Sequence, residues 1–338
     1  MWPFKRKVKN GDYDLAVLGD SLAGYVAVLA AIEQGLRVVW LPNECDKPRG
    51  AEPVGFDSLS PEGGRYLAHL LTPQDIDQLQ CGRFDGVHRN GNYTPFDKIL
   101  GCGFQLSVVE LKQLLKQKIA QQAKIIQDQE ATFSFEVGCL RLSIRSSLEP
   151  VFCRWVINAQ GENSPFSQQG PTYLSEDVWV ERRPGDKSTD HKGAAFFHSN
   201  DNGWRWIAYD DWGHCCETRW AAPGSSEPIA HNAVNARWYK RPTCLEYYDG
   251  LANPTFLIGS TFCRLDPACG LGATLHIKTA IHAVACIARS LSQPLGASCE
   301  LTNYEKMMAS TFNEIAEPMA NFYHDYGVSA GKYYSVSF

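Results

Sequence analysis

The turn after the first apolar strand has the residue types that bind a dinucleotide. It reads Gly19-Asp-Ser-Leu-Ala-Gly24, a G-x-S-x-x-G variant of the dinucleotide fingerprint between a strand and a helix. Gly19 permits the tight turn, Ala23 and Gly24 permit close packing, and Ser21 stands where the backbone approaches phosphate. The helix N-terminus would direct N–H groups and a partial positive charge at a pyrophosphate. We therefore assign Gly19, Ser21, Ala23 and Gly24 to cofactor binding.

The end of the second strand normally carries an acidic residue for the ribose hydroxyls. The corresponding position here is Pro42, and Asn43 and Glu44 follow it. We predict that Asn43 and Glu44 contact the ribose, with Glu44 supplying the carboxylate after a small shift of the turn. Taken alone, the first motif leaves open a turn of the same shape that binds no phosphate.

A second glycine turn lies far along the chain and opens a long apolar helix. It places Gly259 and Ser260 at a strand end, followed by Asp266-Pro267-Ala-Cys-Gly270-Leu271-Gly272. A third segment, Val156-Ile-Asn-Ala159-Gln-Gly161-Glu-Asn-Ser164, also runs from a strand into a turn.

These three segments resemble those of the flavoprotein hydroxylases in residue type and in order. In that family a G-D pair contacts the ribitol, D-P-x-x-G-x-G lays a helix N-terminus against the flavin pyrimidine, and a D-A-x-G-x-x-S strand end lies beside the adenine. N–H groups at the helix N-terminus stabilise the charge of reduced flavin. Asp266, Pro267, Gly270 and Gly272 match, whereas Ser260 replaces the aspartate of the G-D pair.

The resemblance implies that FAD is the cofactor. The further residues that it assigns to FAD are Leu59, Ala159, Gly161, Ser260, Asp266, Gly270, Leu271 and Gly272, and those that it places at the reacting end are Pro267 and Gly270. The sequence contains no second Gly-rich nucleotide motif. We therefore expect an external electron donor, either transiently bound NAD(P)H or a separate reductase.

Within this superfamily the chain most resembles the tryptophan-halogenase-like branch. The segment from Gly55 to Pro61 is similar to the flavin loop of that branch, and the segment from Phe104 to Leu115 is similar to the start of one of its helices. Gly203-Trp-Arg-Trp206-Ile stands where the branch has W-x-W-x-I-P, and residues 321–326 resemble its closing helix.

Halogenation in that branch needs a lysine, and the position aligned with it here is Phe84. Ala208 and Tyr209 also replace the last two residues of W-x-W-x-I-P. The resemblance therefore implies a monooxygenase that hydroxylates an aromatic ring, not a halogenase. We assign Trp206 and Tyr209 to catalysis and expect four aromatic side chains to face the flavin, although strand packing explains them equally well: Trp204, Trp206, Tyr209 and Trp212.

The short chain is similar to flavoproteins of this branch that hydroxylate a tryptophan inside a precursor protein, during the making of cysteine tryptophylquinone. The resemblance implies such a precursor protein as partner. Two other hypotheses stay open because Ser21, Pro42 and Ser260 all depart from the flavin pattern. One is a non-catalytic relic of the fold that serves as a binding or assembly protein, and the other is an FAD-dependent reductase of an isoprenoid or other double bond.

Several histidines and carboxylates could act as an acid or a base. His276 and His282 lie six residues apart and share no helix face, so we interpret both as structural. The remaining candidates are His198, His214, Glu217 and Asp210.

The elements that must position these residues predict an α/β fold. Residues 12–41 form one βαβ unit, residues 42–60 a loop, residues 124–157 a meander of strands, and helices follow near 271–291 and 303–323. We predict a doubly wound, Rossmann-like FAD-binding domain of the hydroxylase type with an inserted antiparallel β-rich substrate layer. The predicted divisions are a tail at 1–11, the FAD-binding domain at 12–172 and 254–326, the layer at 173–253, and a tail at 327–338.

The composition limits the partners. The chain of 338 residues has a net charge of −5 and a pI near 6.0, which disfavours nucleic acid and anionic membranes. It has no apolar run long enough to span a membrane, so we expect a cytoplasmic protein. Its 12 cysteines include no C-x-x-C pair, and we predict no metal.

Overall fold

The computed structural model describes residues 13–42, 56–120, 122–125, 131–136, 139–144, 150–162, 164, 172–173, 175, 178–226, 233–235, 239–240, 244–248, 251–293 and 297–326. Asn43 and Glu44, predicted to contact the ribose, lie outside these residues. This part of the chain contains six α-helices: α1 (Leu22–Glu33), α2 (Pro61–Ala68), α3 (Pro73–Leu79), α4 (Val108–Ala120), α5 (Gly272–Ser292) and α6 (Ala297–His324).

The same part contains strands β1 (Tyr13–Leu18), β2 (Val38–Leu41), β3 (Asp57–Leu59), β4 (Gln80–Phe84), β5 (Gly86–Arg89), β6 (Asn92–Pro95), β7 (Gly103–Leu106), β8 (Lys124–Ile125), β9 (Ala131–Glu136), β10 (Cys139–Ile144), β11 (Val151–Asn158), β12 (Thr172–Tyr173), β13 (Trp179–Gly185), β14 (Ala195–Asn200), β15 (Gly203–Tyr209), β16 (Cys215–Ala221), β17 (Val234–Asn235), β18 (Tyr239–Lys240), β19 (Cys244–Tyr248), β20 (Leu251–Leu257) and β21 (Cys263–Arg264).

The largest sheet holds five parallel strands in the order β20-β11-β1-β2-β8, with β19 antiparallel at one edge. Alternate residues of β1 point to opposite faces. Leu15 and Val17 face a core that includes α1 and α5, while Ala16 and Leu18 face a second core shared with β10. Helices therefore cover one face and the predicted meander β9-β10-β11 reaches the other, which confirms the Rossmann-like α/β fold.

A second sheet of seven strands has the order β17-β13-β16-β15-β14-β5-β6. All its pairs are antiparallel except β14 with β5. Three strands cross the predicted divisions of the chain. The hairpin of β5 and β6 comes from residues 86–95 but joins this sheet, whereas β19, from residues 244–248, joins the largest sheet. The predicted boundaries at 173 and 253 therefore do not coincide with the division of the strands between the two sheets.

Two elements differ from the sequence prediction. Residues 57–59 were predicted as loop but form β3, because they pair with β7 at a distance in sequence that local composition does not show. The closing helix begins at Ala297, six residues earlier than predicted. No helix in the described ranges is both long enough and apolar enough to cross a membrane.

Candidate active site

The first glycine turn is built for close contact between α1 and the sheet. Gly19 has φ +97°, and a Cβ there would lie 2.8 Å from the carbonyl carbon of Ala159. A Cβ on Gly24 would lie 2.7 Å from the carbonyl oxygen of Gly19. Ser21 is the N-cap of α1, and its hydroxyl accepts a hydrogen bond from Gly24 N–H at 3.3 Å. Neither position leaves room for a Cβ, so both need glycine for the turn to pack this closely against the sheet.

The second glycine turn is fixed by Asp266, which is 2% exposed. One carboxylate oxygen accepts from Ala268 N–H at 2.7 Å, and the other accepts from the hydroxyl of Tyr323 at 2.9 Å. The chain then passes through Gly270, with φ +66°, and Leu271 is the N-cap of α5. The first N–H groups of α5 therefore start directly after this turn.

The third segment joins the two turns. Ala159 is 1% exposed and contacts Gly19, while Gly161 N–H donates to the Thr261 hydroxyl at 2.7 Å. A Cβ on Gly259 would lie 2.7 Å from the Cβ of Ala23. The Ser260 carbonyl accepts a hydrogen bond from Tyr239. All three sequence motifs thus meet at one end of the parallel strands, where open α/β sheets bind ligands.

A cavity of about 520 Å³, which we call the cleft, opens between these turns and the seven-stranded sheet. The α1 end supplies Ser21 and Leu22, and the second turn supplies Leu265, Asp266, Pro267, Gly270 and Gly272 but not Leu271. The remaining walls come from β3, α4, α5 and the sheet: Phe56, Asp57, Ser58, Val108, Lys112, Ala273, His276, Val180, Arg182, Trp206, Ala208, Cys216 and Thr218. The two distant glycine turns therefore line the same cavity, whose size is that of a small-molecule site.

Trp206 forms the wall opposite the second turn. A Cβ on Gly270 would lie 3.3 Å from the Trp206 ring, which is a crowded contact. Glycine at this position therefore allows the turn and the ring to pack closely. The indole N–H donates to the Ser58 hydroxyl at 3.2 Å, and Ser58 donates to Oε1 of the fully buried Gln105 at 2.8 Å. These bonds hold the ring in one orientation beside the Asp266–Gly272 turn.

Arg182 places a cation on the sheet side of the cleft. Its guanidinium donates to Asp57 at 2.6 Å, to the Phe56 carbonyl, and to Sγ of Cys216 at 3.2 Å. Burial alone would lower the pKa of Arg182, but the neighbouring Asp57 and Cys216 raise it, so the charge is retained. Arg182 thereby ties the sheet to the segment that precedes α2.

His276 lines the cleft, although the sequence analysis interpreted it as structural. Burial among protein atoms lowers its pKa to about 4, a shift that nearby Asp57 opposes. The imidazole is therefore neutral near pH 7. His282 instead hydrogen bonds to Tyr66 at 3.2 Å, away from the cleft. The spacing of the two histidines along α5 shows that they lie on different faces, but it does not show which face lines a cavity.

Several predicted residues lie away from the cleft. Tyr209 is three positions after Trp206 on β15 and so points to the opposite face, where it contacts His191 and Phe196. Of the other aromatics, Trp204 is buried and donates to Tyr323 at 2.6 Å, and Trp212 is 57% exposed. Leu59 packs beneath α2 against Gly63. Only Trp206 of the four aromatic residues lines the cleft, so the expectation for the other three is corrected.

None of the acid–base candidates named from the sequence lines the cleft. His214 and Asp210 bind each other at 2.8 Å, and Glu217 pairs with Arg183 at 3.0 Å. Sequence reasoning missed Arg182, Lys112 and His276 as cleft residues. Residue type and local spacing gave no signal for them, because each reaches the cleft through contacts between distant segments.

The residues present fit FAD. Gly19 and Gly24 have no space for a side chain, and the N-termini of α1 and α5 both open onto the cleft. The Ser21 hydroxyl turns toward Gly24 N–H and caps its own helix instead of obstructing the turn. Asp266, which matches the hydroxylase pattern, is held by two hydrogen bonds. The departure at Ser21 is therefore compatible with a bound dinucleotide.

Comparison with other proteins gives a fold but no sequence relative, since neither a family model nor a curated protein matches the chain. The flavin-dependent halogenase CmlS superposes with a TM-score of 0.72 at 17% identity, over 92% of this chain and 64% of its own. The chain thus spans less than two thirds of that halogenase.

Two further solved structures are similar. The peptidyl tryptophan dihydroxylase QhpG, essential for tryptophylquinone cofactor biogenesis, has a TM-score of 0.63 at 15% identity, covering 93% of this chain and 75% of its own. PqsL from Pseudomonas aeruginosa, described as a probable FAD-dependent monooxygenase, has a TM-score of 0.67 at 14% identity, covering 90% and 93%. The chain therefore has the fold shared by flavin-dependent halogenases and FAD-dependent monooxygenases.

Proposed function

We propose that this protein binds FAD and hydroxylates an aromatic substrate. The observation that carries the proposal is the single cleft lined both by the start of α1 and by the Asp266–Gly272 turn. FAD needs anion-binding groups beside its central pyrophosphate and a second set of groups beside its isoalloxazine ring, and the cleft offers a helix N-terminus for each. The similar folds of PqsL and QhpG support an oxygenase.

FAD, when bound, supplies the reduction of oxygen that hydroxylation needs. In the net reaction an aromatic C–H becomes C–OH, the second oxygen atom leaves as water, and two electrons come from NAD(P)H or a reductase. The protein contributes orientation and exclusion of water. Pro267 and Gly270 form the turn beside the reacting end, and the N–H groups that begin α5 would stabilise negative charge there.

The opposite wall suits an aromatic ring. Trp206, Val180 and Ala208 present apolar surface, and the Trp206 ring is fixed by its bond to Ser58. Rigid aromatic surface favours stacked or edge-on contact with a second ring. His276 is neutral near pH 7, so one ring nitrogen can accept a hydrogen bond while the other donates one. A protonated imidazolium could only donate.

We further propose that the protein is not a halogenase. Phe84, the residue aligned with the halogenase lysine, is buried, and its ring packs 5.4 Å from that of Phe96. Lys112, on α4, lines the cleft with its Nζ 5.8 Å from the centroid of the Tyr25 ring of α1. Apart from Lys112, the described residues that line the cleft include no lysine.

A tryptophan within a precursor protein is the substrate that we favour. QhpG, with a similar fold, acts on a peptidyl tryptophan. The cleft also reaches the surface, because the side chains of Arg182 and Asp57 are 28% and 40% exposed. A side chain that projects from a partner protein could therefore enter the cleft beside this ion pair.

The test is an assay of the purified full chain with FAD, NADH or NADPH plus a flavin reductase, and oxygen. Substrates are free tryptophan, a tryptophan-containing peptide and a matched peptide with leucine instead, each with and without bromide. Mass spectrometry should show one added oxygen on the tryptophan and none on leucine. Trp212→Phe, which changes an exposed tryptophan, is the control and should behave as wild type.

Three outcomes would overturn the proposal. Brominated product without hydroxylation would make the protein a halogenase. A chain that binds no FAD would favour the non-catalytic assembly protein. Bound FAD that reduces an isoprenoid double bond without consuming oxygen would favour the reductase.

A further inference from the structure

Lys112 brings a positive charge to the end of the cleft where α1 begins. It lies on α4, is partly buried, and lines the cleft together with Val108 one helical turn earlier and with Ser21 and Leu22. Its Nζ lies 5.8 Å from the centroid of the Tyr25 ring, in the first turns of α1. The ammonium group is therefore held next to the start of α1.

This charge has no acidic partner in the described ranges of the chain. The other cation of the cleft, Arg182, is bound to Asp57, and Lys118 further along α4 pairs with Asp75 at 2.8 Å. Lys112 forms no such ion pair with a described carboxylate, and the first turn of α1 contains no acidic residue. A cation that lines a cavity without a partner is available to an anionic ligand.

A pyrophosphate at this place would be stabilised by such a cation. The N-terminus of a helix supplies only about half a positive charge. The Ser21 hydroxyl already accepts from Gly24 N–H, and Asp20, just before α1, adds a negative charge nearby. The N–H groups of α1 alone therefore do not balance two phosphate charges.

We propose that Lys112 binds the pyrophosphate of FAD. This inference rests on the proposed function, since it takes FAD as the ligand. Lys112 acts here as a binding residue that holds the pyrophosphate of the cofactor and has no part in the transfer of oxygen.

The test compares FAD with riboflavin, which has the same ring system but no phosphate. Each is titrated into the flavin-free full chain, and binding is followed by quenching of flavin fluorescence. We expect Lys112→Gln to weaken FAD binding by about 10- to 100-fold, as for loss of a charged hydrogen bond. Riboflavin binding should change less than about twofold. Lys112→Arg should retain most of the FAD affinity.

The control is Lys116→Gln, which replaces an exposed lysine one turn further along α4. It removes the same charge from the protein and should leave the FAD affinity unchanged. Raising the salt concentration should weaken FAD binding to the wild type more than to Lys112→Gln, since screening acts on the charge pair. Thermal melts of each variant check that the fold is retained.

Lys112→Gln that binds FAD as tightly as wild type, with the wild type binding normally, would overturn this inference and leave the proposed function standing. Equal losses of FAD and riboflavin affinity would also overturn it, because they would indicate damage to the cleft as a whole. A wild type that binds neither ligand would overturn the proposed function together with the inference.

Discussion

Tyr323 donates a hydrogen bond from its hydroxyl to Asp266 at 2.9 Å and accepts one from Trp204 at 2.6 Å. All three side chains are buried. Burial and the adjacent Asp266 carboxylate raise the pKa of Tyr323 well above its usual value, so the hydroxyl keeps its proton. The closing helix α6 therefore holds the turn that begins α5 through the nearly buried carboxylate of Asp266.

Tyr323→Phe should destabilise the protein by about 1 to 3 kcal/mol, because it leaves a buried carboxylate oxygen and an indole N–H without this partner. Urea denaturation measures the free energy of unfolding. Tyr326→Phe is the matched control, since its hydroxyl lies at a more exposed position, with a long bond of 3.4 Å to Gly203 and a contact with Ser199. Equal effects of the two substitutions would contradict the role of the Tyr323 bond.

Gly270→Ala should lower both stability and flavin affinity. The backbone has φ +66°, which costs a residue with a Cβ about 1 to 2 kcal/mol, and the new methyl group would meet Trp206 at 3.3 Å. Gly35→Ala is the control, because Gly35 has φ +72° but no atom near its Cβ position. Fluorescence titration should show weaker FAD binding for Gly270→Ala alone. Normal FAD binding by that variant would show that the turn does not contact the flavin.

His276 should make stability depend on pH. Its pKa of about 4 lies below the ordinary value of 6.5, so the unfolded chain binds a proton before the folded one does. Stability from this group is complete above pH 6.5 and decreases as the pH falls toward 4. Between pH 7.5 and 5 the loss should be on the order of 2 kcal/mol.

His276→Gln removes this titration, so its unfolding free energy should fall less over the same pH range. The measurement is urea denaturation of both proteins at pH 7.5 and pH 5, with all other groups held in common. Parallel losses in wild type and variant would assign the pH dependence to another residue.

Arg182→Gln should loosen the link between the seven-stranded sheet and β3. It removes three hydrogen bonds, to Asp57, Phe56 and Cys216, and we expect about 1 to 3 kcal/mol of destabilisation with weaker substrate binding. Arg83→Gln breaks an exposed pair with Asp77 and should change stability far less. Unfolding and KM for the aromatic substrate are measured for both. An unchanged KM with lowered stability would limit Arg182 to a structural role.

The motifs near Gly19, Ala159 and Asp266 could be located from the sequence because each depends on local requirements. A turn without space for a Cβ needs glycine, and a helix start needs a cap, so both leave a signature in neighbouring residues. The strand–helix–strand order fixed the sheet direction in the same way. These requirements explain why the Rossmann-like fold was predicted correctly.

The walls of the cleft could not be read in that way. Arg182 and its partner Asp57 are 125 residues apart, and nothing near either one indicates the other. The assignment of Tyr209 was avoidable, since strand alternation places residues three apart on opposite faces. The hairpin of β5 and β6 crossed a predicted division because β5 pairs with β14, a contact between segments far apart in the sequence.

The contacts of Gly19 with Ala159, and of Ala23 with Gly259, also determine when this part of the fold can form during biosynthesis. A ribosome must translate through Gly272 before the two glycine turns face each other, so the emerging β1–α1 unit spends most of translation with its partner surface uncovered. Until then the nascent chain presents apolar surface of the kind that chaperones protect.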